Sequence, residues 1–139
     1  MEVNGLTAGK HGIHIHEFGN LSDGCNTAGA HYNPYNLTHG GPGSNMRHVG
    51  DLGNLNSNGE TTPAILNTTD YLVSIEGLTS IIGRAVVIHA LEDDLGLGGD
   101  SGSLSTGNAG PRVACGVIGT CAAFVPPTTQ STLLLQDYP

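Results

Sequence analysis

The segment Gly12-Ile13-His14-Ile15-His16-Glu17-Phe18 decides the fold, because its apolar and polar side chains alternate with a period of two. Successive side chains of a β-strand point to opposite faces, so the two isoleucines are predicted on one face and the two histidines on the other. Further apolar segments bounded by turn residues are also predicted as strands: residues 49–55, 64–66, 71–75, 81–89 and 112–118. No helical period persists along the chain, which favours an all-β fold.

The composition is that of a small acidic protein with many turns. Its 139 residues include 22 glycines and 7 prolines, and charged residues make up only 12%. This length allows one domain, and so much glycine and proline disfavours long helices. The net charge of −8 opposes binding to nucleic acid, and the apolar runs are far shorter than the roughly 20 residues that span a membrane. We therefore expect neither nucleic acid nor a membrane as a partner.

Two loops are much longer than the usual connection of about 4–6 residues. Residues 19–50 contain Gly, Asn, Pro or Ser in every window, and residues 91–111 are rich in glycine and acidic at their start. Loops of this length are typically functional or held in place by a ligand. We therefore expect the first loop, which also carries several histidines, to take part in binding.

Seven histidines in a chain with so few charged residues are the feature that most needs explanation. His14 and His16 project from the same face of a strand and can present two imidazole nitrogens to one point. The glycine-rich loop can fold back over this strand and bring further ligands: His31, His39, His48 and Asp51. Three imidazoles with one carboxylate suit Zn²⁺, whereas imidazoles without thiolates also suit Cu²⁺. The residues predict a site for either metal or for both.

Three cysteines, Cys25, Cys115 and Cys121, allow one disulfide and leave one thiol. The spacing alone does not select the pair.

Residues 1–4 have neither the basic start nor the apolar stretch of a signal peptide, and a processed N-terminus is the alternative. These features leave the compartment open.

Several motifs follow one another in unbroken order: His14-Ile-His16-Glu-Phe-Gly, His39-Gly-Gly-Pro, Arg47-His48-Val-Gly-Asp51-Leu-Gly-Asn54, Val87-Ile-His89, Asp93-Asp94-Leu-Gly and Gly107-Asn-Ala-Gly-Pro-Arg112-Val-Ala-Cys115-Gly. Together they resemble the copper/zinc superoxide dismutase family over residues 5–119. The resemblance implies a Greek-key β-sandwich or barrel with two long loops. It also implies an oxidoreductase that converts superoxide to O₂ and H₂O₂ by redox cycling of copper.

The resemblance further implies which residues hold the two metals. Copper would be bound by His14, His16, His31 and His89, and zinc by His31, His39, His48 and Asp51. His31 would then be a bridging imidazolate and a catalytic group. Asp93 would connect the two sites by contacting His14 and His39.

Other implied properties concern the substrate, the disulfide and the assembly. Arg112 would bind the superoxide anion above the copper, and the disulfide would join Cys25 to Cys115. His11 would be structural. The resemblance favours a cytoplasmic homodimer formed through exposed strands, with secretion as the alternative location.

The sequence departs from the family pattern in two places. Family members begin well upstream of the matched region, so the first strands of the barrel are expected to be missing. We expect the exposed edge to be covered either by a second copy or by residues 120–139, a C-terminal extension to the domain of residues 1–119 with a predicted strand at 131–135. The loop at 91–111 contains no lysine, so weak electrostatic steering of superoxide is expected.

Two alternatives to an active enzyme are a metal-binding module with weak or no activity and a docking domain like that of the family's copper chaperone. Such docking domains commonly lose a copper ligand or the anion-binding arginine. This sequence retains both His89 and Arg112. The complete set of residues favours the enzyme.

Overall fold

The computed structural model describes residues 1–122 of the chain. These residues contain seven strands: β1 (Glu2–Val3), β2 (Ala8–His16), β3 (Ser22–Cys25), β4 (Asp51–Asn58), β5 (Ala64–Ile65), β6 (Ala85–His89) and β7 (Arg112–Val117). A 3-10 turn at Asn26–Ala28 and one short helix, α1 (Ser103–Thr106), lie in the two long loops. The predicted all-β class is confirmed.

Six of these strands form two antiparallel sheets, and β3 pairs in neither. One contains four strands in the order β4-β2-β6-β7, and the other pairs β1 with β5. Strands β2 and β6 are neighbours in space but not in sequence, so the chain crosses to the second sheet and returns, as in a Greek key. The central strand β2 pairs with β4 on one side and with β6 on the other. Strand β2 is therefore hydrogen-bonded along both of its edges.

The two faces of β2 are used as the alternation predicts. Ile13 packs in an apolar cluster with Leu55 of β4, Ala64 of β5 and Ile88 of β6, so this cluster joins both sheets. Ile15 packs with Tyr32 and Val49 from the first long loop. His14 and His16 face away from this core and are nevertheless buried, because the long loops cover them.

One predicted strand is wrong. Residues 71–75 are not a strand, and only an isolated bridge joins Ser74 to Ser80. The physical reason lies just before the segment, where the carboxylate of Asp70 accepts hydrogen bonds from the backbone N–H groups of Leu72 and Val73. These donors are therefore satisfied locally instead of by a neighbouring strand. The predicted strand at 81–89 also begins later, at Ala85, since residues 81–84 form a turn closed by the N–H of Arg84.

The predicted strand at 131–135, and the prediction that the C-terminal extension covers an exposed edge, lie outside the described residues. Among the residues that the structure describes, no helix has the length and apolar character needed to cross a membrane.

Candidate metal centre

The first long loop folds back over β2, and this places His31 beside His16. The two residues form an isolated β-bridge. Next to it, the N–H of Tyr32 donates to the carbonyl of Ile15, and the N–H of Ile15 donates to the carbonyl of Gly50, each over 2.8 Å. A side chain at Gly50 would overlap the carbonyl oxygen of Ile15, so only glycine allows the loop to approach this closely. The backbone therefore brings loop histidines to the histidine face of β2.

Four buried histidines form the first cluster. One nitrogen from each ring lies within 4.8 Å of the others in the set His14, His16, His31 and His89. Nδ1 of His14 and Nε2 of His31 are buried and, within the described residues, have no hydrogen-bond partner. Nε2 of His16 lies 3.4 Å from Nε2 of His89. Buried polar atoms are normally paired, so these nitrogens fit a metal ion, and an all-imidazole set suits copper.

The second cluster is centred on the carboxylate of Asp51. Its Oδ1 atom lies 3.0 Å from Nδ1 of His31 and 3.1 Å from Nδ1 of both His39 and His48. Nδ1 of His39 is at this distance without the geometry of a hydrogen bond. Three imidazoles and one carboxylate that converge in this way fit zinc.

A different grouping of the same region is also compatible with the distances. Ligand atoms of His14, His31, His39 and Asp51 lie within 4.8 Å of one another, and this set contains His14 in place of His48. Nε2 of His14, however, is hydrogen-bonded to Asp93, whereas Nδ1 of His48 faces Asp51. We therefore assign His48 to the second cluster.

The ring nitrogens that do not face a cluster are held by fixed acceptors. Nδ1 of His16 donates to the carbonyl of Gly29 over 2.9 Å, and Nδ1 of His89 donates to the carbonyl of Gly110 over 2.8 Å. Such contacts fix the ring orientation and the tautomer of a metal-binding histidine. His31 is the exception among these rings, because both of its nitrogens face a cluster.

Asp93 links the two clusters and is itself held in place. Its two carboxylate oxygens accept hydrogen bonds from Nε2 of His14 over 2.9 Å and from Nε2 of His39 over 2.8 Å. Its backbone N–H and carbonyl pair with the side-chain amide of Asn54, each over 2.8 Å. Gly107 lies against the same carboxylate, and any larger residue there would overlap it. The second long loop can therefore close over Asp93.

Burial sets the protonation of the first cluster. It lowers the pKa of His14 and of His16 to about 3, and it also lowers the pKa of His31 and of His89. At neutral pH these four rings are therefore uncharged. Neutral imidazole is the form that binds metal ions.

The second cluster is electrostatically different. Burial opposes the charge on His39, but the adjacent carboxylate of Asp51 and the hydrogen bond to Asp93 outweigh burial and raise the pKa of His39 to about 9. Burial likewise opposes the charge on Asp93, yet hydrogen bonds from His14 and His39 lower its pKa to about 2. The pKa of Asp51 is lowered as well, by its three histidine neighbours acting against burial. These carboxylates favour a positive charge between them, which a divalent cation can supply.

An open cavity of about 570 Å³ lies beside the first cluster, and His16, His31, His89 and Arg112 contribute to its wall. The guanidinium of Arg112 donates to the carbonyls of Cys25 and Gly29, each over 2.7 Å. These bonds fix its position. The arrangement can hold a small anion near the four-histidine cluster.

A disulfide joins Cys25 to Cys115 across 90 residues and so ties the first loop to β7. Cys121 is an exposed free cysteine.

The ring nitrogens of His11 face the carbonyls of His89 and Thr7, at 2.8 and 3.0 Å. These contacts are those of a structural residue, in line with the resemblance.

The sequence analysis missed the contacts that support Asp51. Arg47 is fully buried, donates to the carbonyl of Asp51 over 2.5 Å and forms an ion pair with Asp70 at 2.6 Å. Arg47 stands in a recognised motif, but nothing around Asp70 in the sequence marks it as a partner. One sequence feature could have indicated this role of Arg47. The chain has only four lysines and arginines, and Arg47 directly precedes the predicted ligand His48.

A family model for copper/zinc superoxide dismutase matches residues 1–118. The chain belongs to this family. The resemblance described from the motifs is confirmed. The metals of a copper/zinc superoxide dismutase are copper and zinc, and the two clusters of this chain can bind them.

Similar curated proteins include examples from three organisms. An extracellular superoxide dismutase [Cu-Zn] of Drosophila melanogaster is 56% identical over 119 residues, which cover 86% of this chain and 65% of that protein. An extracellular superoxide dismutase [Cu-Zn] of Caenorhabditis elegans is 52% identical, with 93% and 62% covered. Superoxide dismutase [Cu-Zn] 5 of Dictyostelium discoideum is 52% identical over 116 residues, with 84% and 76% covered. The chain thus spans somewhat less than two thirds of the first two relatives.

Proposed function

We propose that this chain is a superoxide dismutase that converts superoxide to O₂ and H₂O₂. The observation that carries the proposal is the position of His31, whose Nδ1 lies 3.0 Å from Asp51. Its Nε2 is buried beside three other histidines and, within residues 1–122, has no hydrogen-bond partner. One imidazole with both nitrogens directed at clusters is suited to bridge two metal ions. Membership of the dismutase family supports the same activity.

The proposed ligands follow from the nitrogen atoms that remain after the fixed hydrogen bonds are assigned. Copper would be held by Nδ1 of His14 and by Nε2 of His16, His31 and His89. Zinc would be held by Nδ1 of His31, His39 and His48 together with Asp51. When bound, copper supplies the one-electron redox change that dismutation requires, and zinc, which has no redox chemistry, fixes the loop and the second nitrogen of His31.

Arg112 is proposed to bind and orient superoxide. Its guanidinium is fixed by two carbonyls, stands in the wall of the cavity and keeps further N–H donors for an anion. Nε2 of His31, in the same wall, is the atom at which this chain would hold the proton destined for peroxide.

We also propose a homodimer. Phe18, Ile82 and Val117 are apolar and exposed. Gly19 lies against the carbonyl of Gly83 and the side chain of Val117, so these residues form one surface at the edge of the larger sheet. Sedimentation of the purified chain tests this, and substitution of Ile82 by Asp should give a monomer. A wild-type chain that sediments as a monomer would exclude the dimer.

The proposed location is extracellular. Two of the relatives are named extracellular, and a disulfide is stable mainly in oxidising compartments. The cytoplasmic location favoured by the family resemblance is not confirmed. Detection of the native protein in medium and in cell lysate with an antibody would distinguish the two.

The activity is tested by measuring superoxide decay together with the metal content of the purified chain. We expect one copper and one zinc per chain and a decay rate that scales with copper content. A fully loaded chain without activity would exclude the enzyme and leave the inactive metal-binding module.

A further inference from the structure

Within the described residues, two openings lead from solvent to His31. The first is the Arg112 cavity described above, which also reaches His16 and His89. The second has a volume of about 370 Å³ and reaches His31 and His48, with the side chain of Glu17 in its wall. Ala30 and Ser105 contribute to both walls, so the openings are neighbours.

The openings differ in charge. Among residues 1–122, the first is lined by one arginine and no carboxylate, and the second by one carboxylate and neither lysine nor arginine. Oε2 of Glu17 accepts a hydrogen bond from the N–H of Ala30 over 3.3 Å, and no ion pair to Glu17 is formed within the described residues. A fixed charge at the mouth of a cleft raises the local concentration of ions of opposite sign. The first opening therefore attracts anions and the second attracts cations.

The exposure of the ligands indicates which of them an incoming ion meets first. The side chains of His39 and Asp51 are 0% exposed, whereas those of His31 and His48 are 4% and 7% exposed. The two less completely buried ligands are the two that line the second opening. An ion that enters there reaches His48 and His31 before the buried pair.

We infer that the opening beside Glu17 is the passage through which zinc reaches and leaves its site, with Glu17 guiding the cation. The inference rests on the proposed zinc ligands. Glu17 is not one of them, so its carboxylate acts on the moving ion and not on the bound one. The Glu17 carboxylate lowers the free-energy barrier to passage of zinc through the opening, both inward and outward. Removal of this charge therefore slows zinc uptake and zinc release equally, and the affinity for zinc stays the same.

The test follows exchange of bound zinc on the purified, metal-loaded full-length chain, with isotopically enriched zinc in solution and mass spectrometry of the metal. Glu17→Gln should slow exchange by up to about tenfold, the low end of the effect of charges that line a cleft. Leu104→Lys, which adds a positive charge in the same wall at an exposed position, should also slow it. Glu76→Gln removes the same charge at an exposed site outside both openings and should leave exchange unchanged.

Zinc affinity, measured by competition with a chelator, should be equal in all four proteins. Unchanged exchange in Glu17→Gln would overturn the inference. Faster release with weaker affinity would also overturn it, because Glu17 would then hold the loop and not guide the ion. A third contrary result concerns Arg112→Gln. If this variant speeds zinc exchange by a larger factor than Glu17→Gln slows it, the passage lies at the first opening.

The result is independent of catalysis. A chain that shows the predicted exchange pattern but does not remove superoxide would contradict the proposed enzyme and support the passage. A wild-type chain that binds no zinc at His31, His39, His48 and Asp51 would overturn both the ligand set and the passage.

Discussion

His39 donates a hydrogen bond from Nε2 to Oδ1 of Asp93 over 2.8 Å. The other oxygen of this carboxylate accepts from His14 over 2.9 Å, so a single buried side chain orients one ring of each cluster. The two rings come from β2 and from the first long loop, while Asp93 belongs to the second long loop. Asp93 therefore joins three parts of the chain at the metal centre.

Replacement of Asp93 by Asn should weaken zinc binding roughly tenfold to a hundredfold. An amide offers one acceptor oxygen, whereas the carboxylate satisfies two imidazole N–H groups at once, so one ring loses its partner. Chelator competition on the purified variant measures this affinity. Glu92→Gln is the matched control, because it removes the neighbouring carboxylate, which lies at the surface in an ion pair with Lys10. Equal affinities in the two variants would contradict this role of Asp93.

Two histidine variants should separate the metals. His39→Ala should empty the zinc site and loosen the first loop while copper is still bound, because His39 faces only the second cluster. His89→Ala should do the reverse, and His31→Ala should reduce both metals. Metal analysis of the purified proteins checks this pattern. Equal loss of copper and zinc from His39→Ala and from His89→Ala would argue against two separable sites.

The sequence predicted those parts of the molecule that depend on local periodicity. The alternation in β2 located the apolar core on one face and His14 and His16 on the other, and the loop after it was expected to fold back. Strand pairing follows from such patterns because the period of a strand is two and one face must be buried.

Contacts between distant side chains could not be obtained in this way. Arg47 and Asp70 are 23 residues apart and form an ion pair. Arg47 also supports Asp51, and the carboxylate of Asp70 accepts the N–H groups within the predicted strand at 71–75. Asn54 and Asp93 are 39 residues apart. No local pattern encodes such pairs, since they exist only after the loops have packed.

The Cys25–Cys115 disulfide should stabilise the fold. It closes a loop of 90 residues, which contributes about 4–5 kcal/mol to the free energy of unfolding in the chain-entropy model. Cys25→Ser should lower stability by up to this amount in denaturant unfolding, and Cys121→Ser should not change it. Because Arg112 donates to the carbonyl of Cys25, the first variant should also lose activity per bound copper. Mass mapping that joins Cys121 to another cysteine would contradict the pairing.

Capture of superoxide should depend almost entirely on Arg112. The net charge of −8 repels an anion at long range, and Arg112 is the one basic side chain that lines the cavity in the described structure. The other three basic side chains are engaged elsewhere: Lys10 with Glu92, Arg47 with Asp70 and Arg84 over the ring of Tyr32. The salt dependence of the rate constant should consequently be weak or reversed, since screening over about 8–10 Å removes repulsion as well as attraction.

Arg112→Ala should lower the rate constant for superoxide decay roughly tenfold to a hundredfold without changing the metal content, because a cation in contact with the anion is screened far less than a distant one. Arg112→Lys keeps the positive charge but loses the pair of hydrogen bonds to the carbonyls of Cys25 and Gly29. We therefore expect a rate constant between those of the wild type and Arg112→Ala. Pulse radiolysis at several ionic strengths measures both effects, and the unfolding midpoint of each variant controls for the lost hydrogen bonds. If the wild-type chain turns over rapidly and its rate falls steeply with salt, attraction from charges other than Arg112 dominates and this account of capture is wrong.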